Sequence, residues 1–287
     1  MTQNISLAVI GGSGLYTMSG LENTEERIIS TPFGEPSAPI VVGNLEGQPI
    51  AFLARHGIGH HINPSEVNYR ANIYALKSLG VEKIVSVNAC GSLREDYAPG
   101  EIVIPDQLFD MTKGRERTFF DRGLVSHISV AEPFCLDFSA KILTSVQKTG
   151  ATVHKGGAFI TIEGPRFSTR TESNVFRSWD MSIIGMTTAP EAFLAREAEI
   201  CYGVMAHVTD YDVWHVSKEP VTVDMVIKTI QKNTEIAQEA IKNLARSYTS
   251  HRDCNCENAL ANALITQPRV IPSETRERLD LLVKKYL

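Results

Sequence analysis

Two carboxylates, Asp210 and Asp212, flank a tyrosine in the stretch HVTDYDVWH, directly after the apolar run AEICYGVMA. Alternate residues of a strand point to one face, so this spacing predicts that both acids address one object from the end of a buried strand. A carboxyl buried beside a second carboxyl keeps its proton to higher pH than usual, which equips it to protonate a leaving group near neutrality. In its ionised form it accepts a hydrogen bond from an amino group. A second set of residues suits an anion. Arg55 and His56 adjoin after the run PIAFLA, with His60 and His61 close behind. A guanidinium offers paired donors to two phosphate oxygens at once. Three histidines also raise the question of a metal, but no carboxylate or cysteine completes a recognisable ligand set, so no metal is expected there.

The turn Gly11-Gly12-Ser13-Gly14 follows the run SLAVI. It does not spell G-x-G-x-x-G and no G-K-[ST] follows, which argues against a dinucleotide site or a P-loop. Backbone N–H groups in such a turn, with the Ser13 hydroxyl, still suit an anion, although a plain tight turn is the simpler reading. Phe167, in TIEGPRFSTRTES, lies between Arg166 and Ser168 and not among apolar neighbours. That placement offers a ring face for a planar group to stack on.

These residues need elements to hold them. Short apolar runs end in glycine-rich or polar loops, and segments with helical spacing lie between several of them, such as VNYRANIYALKSLG with Gly80 as its stop. The alternation predicts an α/β class fold: a single domain with a central mixed, largely parallel twisted sheet flanked by helices. Ligands gather at the carboxyl ends of strands in such sheets, so Ser13, Arg55, His56, the Asn88-Ala89 turn, Thr187 and Asp210 are expected around one mouth. A compositional break follows Tyr248. Residues 1–248 are read as the domain, and 249–287 as an extension ending in the helix ETRERLDLLVKKYL, packed on the domain or on a neighbouring subunit.

With 43% hydrophobic and 21% charged residues the 287-residue chain has an ordinary globular composition. A net charge of −5 gives no general attraction to nucleic acid or anionic membrane, so neither is an expected partner. No stretch approaches the ~20 apolar residues of a membrane span, and a cytoplasmic enzyme is the default. Five scattered cysteines are not a secreted disulfide framework, although Cys254-Asn255-Cys256 is unusual and reads most simply as two thiols in a polar tail, with a redox or disulfide role as the alternative.

Taken together, GGSGLY, RHG with HHINPSEVNYRANI, NACGSLRE, PGEIVIPDQ, HISVAEPFC, TIEGPRFSTRTES, GMTTAPEAFLAREAEICY and TDYDVW resemble the purine nucleoside phosphorylase superfamily, and within it the methylthioadenosine phosphorylases. The resemblance runs in order from residue 11 to about residue 245. It implies phosphorolysis of 5′-methylthioadenosine to adenine and 5-methylthioribose 1-phosphate, with inorganic phosphate as co-substrate and no cofactor. By the same resemblance Ser13, Arg55, His56, Asn88, Ala89 and Thr187 surround phosphate, Met186 lies under the ribose and Phe167 stacks near the purine. Asp210 faces the purine N7 and 6-amino group with Asp212 beside it. Val223, Val226 and Ile227, on the first turns of an amphipathic helix, line the 5′ pocket. An apolar pocket there favours a methylthio group over a hydroxyl, which would lie unpaired at a cost of about 1–3 kcal/mol. The resemblance places His127 over the 5′ group of an adjacent subunit and implies a homo-oligomer, a trimer in this branch with hexamers among relatives. Ser13 and Asn88 stand where threonine is frequent in the family, and Gly185 where some members have asparagine. Phosphorolysis of methylthioinosine, or of purine nucleosides broadly, is the alternative these departures leave open.

Overall fold

The computed structural model describes residues 5–12, 15, 18–215 and 223–287, the last range without the side chains of 223–232. Ser13 and the side chains of Val223, Val226 and Ile227 therefore lie outside the described residues. In chain order the first elements are β1 (Leu7–Gly11), β2 (Leu21–Arg27), β3 (Ile40–Leu45), β4 (Gln48–Ala54), α1 (Tyr69–Ser78), β5 (Lys83–Ser92), β6 (Ile102–Ile104), β7 (Gln107–Asp110) and α2 (Leu136–Gln147). There follow β8 (Val153–Lys155), β9 (Ala158–Thr161), α3 (Arg170–Ser178), β10 (Ile183–Gly185), α4 (Thr188–Glu197), β11 (Cys201–Asp210), α5 (Val223–Arg246) and α6 (Ser273–Val283).

The strands form one mixed sheet in the order β2-β3-β4-β1-β5-β10-β9-β7, with β11 on the other edge of β5 and β6 and β8 beyond it. Six of the ten pairings among the described residues are parallel, so the sheet is largely parallel as expected. The runs LAVIG and CYGVMAHVT are buried at every position because helices cover both faces of the sheet. On one face α1, α4 and α6 pack Ile73, Leu76, Leu194 and Leu279 against Ile10, Ile84 and Val204. On the other, α2 and α5 pack Ile142, Val146, Ile241 and Leu244 against Val9, Val85 and Met205. Each of these fully buried aliphatic side chains contributes about 1.5–3 kcal/mol. Helix α2 lies so close to β11 that a Cβ on Gly203 would come within 2.5 Å of Ile142 Cδ1, which requires glycine there.

Local chemistry sets the helix ends. Asn68 caps α1 by accepting from the Ala71 N–H, and Gly80, with φ of +89°, ends it as the sequence predicts. Thr169 and Glu172 form a capping box on α3. Leu260, Ala263, Ile271, Leu279 and Leu282 of the C-terminal extension share the core of α1 and α4.

Candidate active site

Strand β5 carries the site because its neighbours part company along it. β1 pairs with Lys83 to Ser86 of β5, while β10 pairs antiparallel with Gly91 and Ser92. The opposite edge is bound to β11 as far as Gly91. On the divided edge Val87 to Cys90 lie between the two pairings and border an opening in the ladder, where the Val87 carbonyl accepts from Arg55. Asn88 is buried and Ala89 exposed at this opening. Past Gly185 the chain from β10 turns into α4, bringing Met186 and Thr187 back to β5, where the Thr187 hydroxyl donates to Asn88 Oδ1 at 3.2 Å. β1 and β4 end on the other side of the opening, and Arg55 follows β4 directly.

Arg55 is buried and bound from within. Its Nε and Nη2 donate to the two oxygens of Glu191 at 2.8 and 2.9 Å, Nη2 also to Ser86 Oγ at 2.6 Å, and Nη1 to the Val87 carbonyl at 3.3 Å. Thus the guanidinium fork is matched to a carboxylate of the protein, leaving one Nη1–H beyond the Val87 bond for a ligand. Glu191, fully buried on α4, also accepts from Ser86 Oγ at 2.9 Å and Tyr202 Oη at 2.7 Å. Asn88 Nδ2 donates to the same Ser86 hydroxyl at 3.1 Å. One connected network therefore runs from Arg55 through Glu191, Ser86 and Asn88 to Thr187. Burial opposes the Arg55 charge, but the Glu191 carboxylate outweighs it and raises the guanidinium pKa.

His56 lies beside this network in a different state. Burial, and then the Arg55 charge, push its pKa down to about 4, so the ring is neutral near pH 7. Its Nδ1 is 2.9 Å from the Ile62 carbonyl, which can only accept, so Nδ1 carries the proton and Nε2 is an acceptor. The ring also stacks on His60 with centroids 4.3 Å apart.

At the far end of the opening the acid pair departs from the expected strand geometry. β11 ends at Asp210 after a bulge, and Asp212 begins a 3₁₀ turn with φ of +51°. The two acids are neighbours through a turn instead: Asp210 Oδ1 accepts from the Asp212 N–H at 2.8 Å, while Oδ2 accepts from the Thr209 hydroxyl at 2.6 Å. Both bonds favour the Asp210 carboxylate, but burial outweighs them and raises its pKa. Asp212 is pushed up to about 6, mainly by burial and further by the Asp210 charge, with the nearby Ser173 hydroxyl opposing. Its Oδ2 is buried without a hydrogen-bond partner among the described residues. The pair therefore holds a proton to higher pH than an ordinary carboxylate. Gly91 makes room for it: a Cβ there would stand 3.1 Å from Asp210 Oδ1 and 3.2 Å from Asp212 Cβ.

Asn88 and Gly91 are three residues apart, so about 10 Å of strand separates the hydroxyl and amide end of the opening from the acid pair. Met186 is half-buried and directly precedes Thr187 on the returning chain. Phe167 is 43% exposed in the loop leading into α3, the helix whose Ser173 faces Asp212. His127 is held by the C-terminal extension. It is exposed, on a strip that pairs with the extension through Ser126 and Leu264 and through the His127 N–H donating to the Ala263 carbonyl at 2.8 Å. Two organising residues escaped the sequence reading, Glu191 and Arg115. The latter is buried and donates to the carbonyls of Met186, Ala189 and Glu163 at 2.7 to 2.8 Å, fixing both loops that carry Met186 and Phe167. A buried acid and a distant arginine each look like ordinary surface charges in a helix or loop sequence.

A mixed, mostly parallel sheet with a buried basic network and a buried acid pair at the carboxyl ends of its strands fits the nucleoside phosphorylase fold. The family model of the phosphorylase superfamily matches residues 6–249, and the chain belongs to that family. A protein of Geobacter sulfurreducens named S-methyl-5′-thioadenosine phosphorylase is 53% identical over 282 residues, covering 98% of this chain and 99% of its own. The crystal structure of a methylthioadenosine phosphorylase from an antarctic soil metagenomic library superposes with a TM-score of 0.94 at 46% identity, covering 98% of this chain and 100% of that one. A variant of an adenosine/methylthioadenosine phosphorylase from Schistosoma mansoni, in complex with adenine, superposes with a TM-score of 0.80 at 38% identity over 84% of this chain and 91% of its own.

Proposed function

We propose that the chain catalyses phosphorolysis of 5′-methylthioadenosine, releasing adenine and forming 5-methylthioribose 1-phosphate. The observation that supports this most is the acid pair Asp210/Asp212 and the Arg55–Glu191–Ser86–Asn88–Thr187 network bordering one opening of β5. The bond from the sugar C1′ to purine N9 breaks, and its electron pair leaves with the purine. A proton reaching N7 stabilises that leaving group. Asp210 assists the departure and accepts from the 6-amino group, with Asp212 beside it sharing the pair's proton. A phosphate oxygen bonds to C1′ from the other end of the opening. Arg55 Nη1, the Asn88-Ala89 turn, Thr187 and Ser13 hold that phosphate, and neutral His56 accepts from its remaining hydroxyl through Nε2. The protein's part is electrostatic and positional.

Phe167 stacks on the purine, Met186 underlies the ribose, and Val223, Val226 and Ile227 receive the methylthio group. His127, exposed on the strip held by the extension, serves the site of an adjacent subunit in a homotrimer or hexamer. Inorganic phosphate is the co-substrate, no cofactor takes part in the reaction, and the enzyme works in the cytoplasm. Two different relatives, one named for methylthioadenosine and one for adenosine as well, set the second reading, a broader 6-aminopurine nucleoside phosphorylase. Release of free base from methylthioadenosine, methylthioinosine, adenosine and inosine, each with and without phosphate, tests both. Fastest phosphate-dependent release from methylthioadenosine is expected; equal rates on adenosine support the broader reading, and release indifferent to phosphate defeats both.

A further inference from the structure

Four of the five cysteines meet at one place by the start of β11, where Cys201 pairs with Lys83 at the end of β5 opposite the opening. Cys135 precedes α2, Cys201 begins β11, and Cys254 and Cys256 belong to the C-terminal extension. Their sulfur atoms all lie within 4.8 Å of one another, and those of Cys201 and Cys254 are 3.4 Å apart. All four are free thiols, three buried and Cys254 half-buried. Zn–S bonds of about 2.3 Å in a tetrahedron place sulfurs about 3.8 Å apart, so the side chains surround a single ion with shifts of an ångström or less. An iron–sulfur cluster would put its own sulfides between the thiolates and space them wider.

We propose that these four cysteines form a tetrathiolate site for one Zn²⁺ that fastens the C-terminal extension to the sheet. Binding replaces four S–H bonds by four Zn–S bonds, releases four protons and leaves a net charge of −2. The surroundings are prepared for that charge. Arg196 Nη1 donates to Cys256 Sγ at 3.3 Å, and its Nη2 is anchored on the Glu132 carbonyl at 2.6 Å. Lys83 Nζ donates to the carbonyl of His251 at 3.0 Å, three residues before Cys254, and Cys201 is its register partner on β11. Such hydrogen bonds and charges around thiolates are what hold and tune zinc–sulfur sites. Four protein ligands close the coordination sphere, so the ion is structural. Ala263 and Leu264, which hold the His127 strip, follow Cys256 by seven and eight residues.

The test uses the full-length protein purified without added reductant and without an affinity metal. Elemental analysis should find one zinc per chain, and all five thiols should react once the protein is denatured with chelator but without reductant. Metal-free reduced protein titrated with Co²⁺ should show the intense visible absorption of a tetrahedral thiolate complex, saturating at one equivalent and lost in Cys256→Ser. Cys90→Ser should keep it. If Cys256→Ser fails to fold, the stoichiometry and spectrum of the unaltered chain still decide. Fewer than five thiols before reduction, or reduced protein that takes up neither Zn²⁺ nor Co²⁺, would overturn the proposal.

Discussion

Glu191 decides what Arg55 can offer a ligand. Because both side chains are almost wholly buried, Glu191→Ala strands a guanidinium in the core and should lower unfolding free energy by about 3–5 kcal/mol. Glu191→Gln keeps the shape but not the charge, and should raise the KM for phosphate more than that for nucleoside; a denaturant titration and two-substrate kinetics check both, and equal KM changes would detach Glu191 from the anion. The acid pair makes a prediction in pH. Asp212 is raised from 3.8 to about 6, so its folded form favours the proton. Its contribution to stability is therefore full below 3.8 and lost as pH rises through about 6. If that proton serves the leaving group, kcat/KM falls above about pH 6, and Asp212→Asn removes this limb from the profile. Asp210→Asn should lower turnover of 6-amino substrates by more than that of 6-oxo ones, since an amide N–H meets O6 where the carboxylate met an amino group; a matched loss on both would contradict base reading by Asp210. Most of these residues were legible as chemical types at strand ends. What was not legible is how they are wired: the Arg55 fork toward Glu191, and Asp212 out of the strand, follow from a bulge and a helix 136 residues further along the chain, neither of which leaves a local pattern.

At the scale of elements, the strands that position the site were readable because they are buried on both faces and rich in β-branched residues, as in β1, β5 and β11. The edge was not. β2, LENTEER, is almost all polar and exposed, and its charges protect an outer strand from pairing with other chains. The parting of β1 and β10 along β5 is also a tertiary property, set by a three-residue strand that pairs only at Gly91 and Ser92. Gly91 is the close contact between these strands and the acid pair. A methyl there pushes Asp210 by a few tenths of an ångström, so Gly91→Ala should cost at most about 1–2 kcal/mol of stability yet about tenfold in kcat/KM. Circular dichroism melts beside steady-state rates separate the two effects, and an unchanged rate would mean the pair is not held to close tolerance.

For the whole molecule, the C-terminal extension links core, surface and assembly. Its leucines complete the core on α1, Arg278 pairs with Asp121, and its Ala263 and Leu264 hold the exposed His127 strip. If His127 completes a neighbour's site, His127→Ala should lower kcat/KM on methylthioadenosine while leaving subunit association intact by sedimentation. Mixed oligomers of His127→Ala and Asp210→Asn should then recover part of the activity, because some sites receive both native residues. No recovery on mixing would place each site within one chain. The account as a whole makes phosphate a reactant, consumed at the sugar carbon as the purine leaves. ³¹P NMR of the enzyme with methylthioadenosine and inorganic phosphate measures this directly. A sugar 1-phosphate resonance should grow as the inorganic signal falls, one for each adenine released; adenine released while inorganic phosphate stays constant would contradict the account.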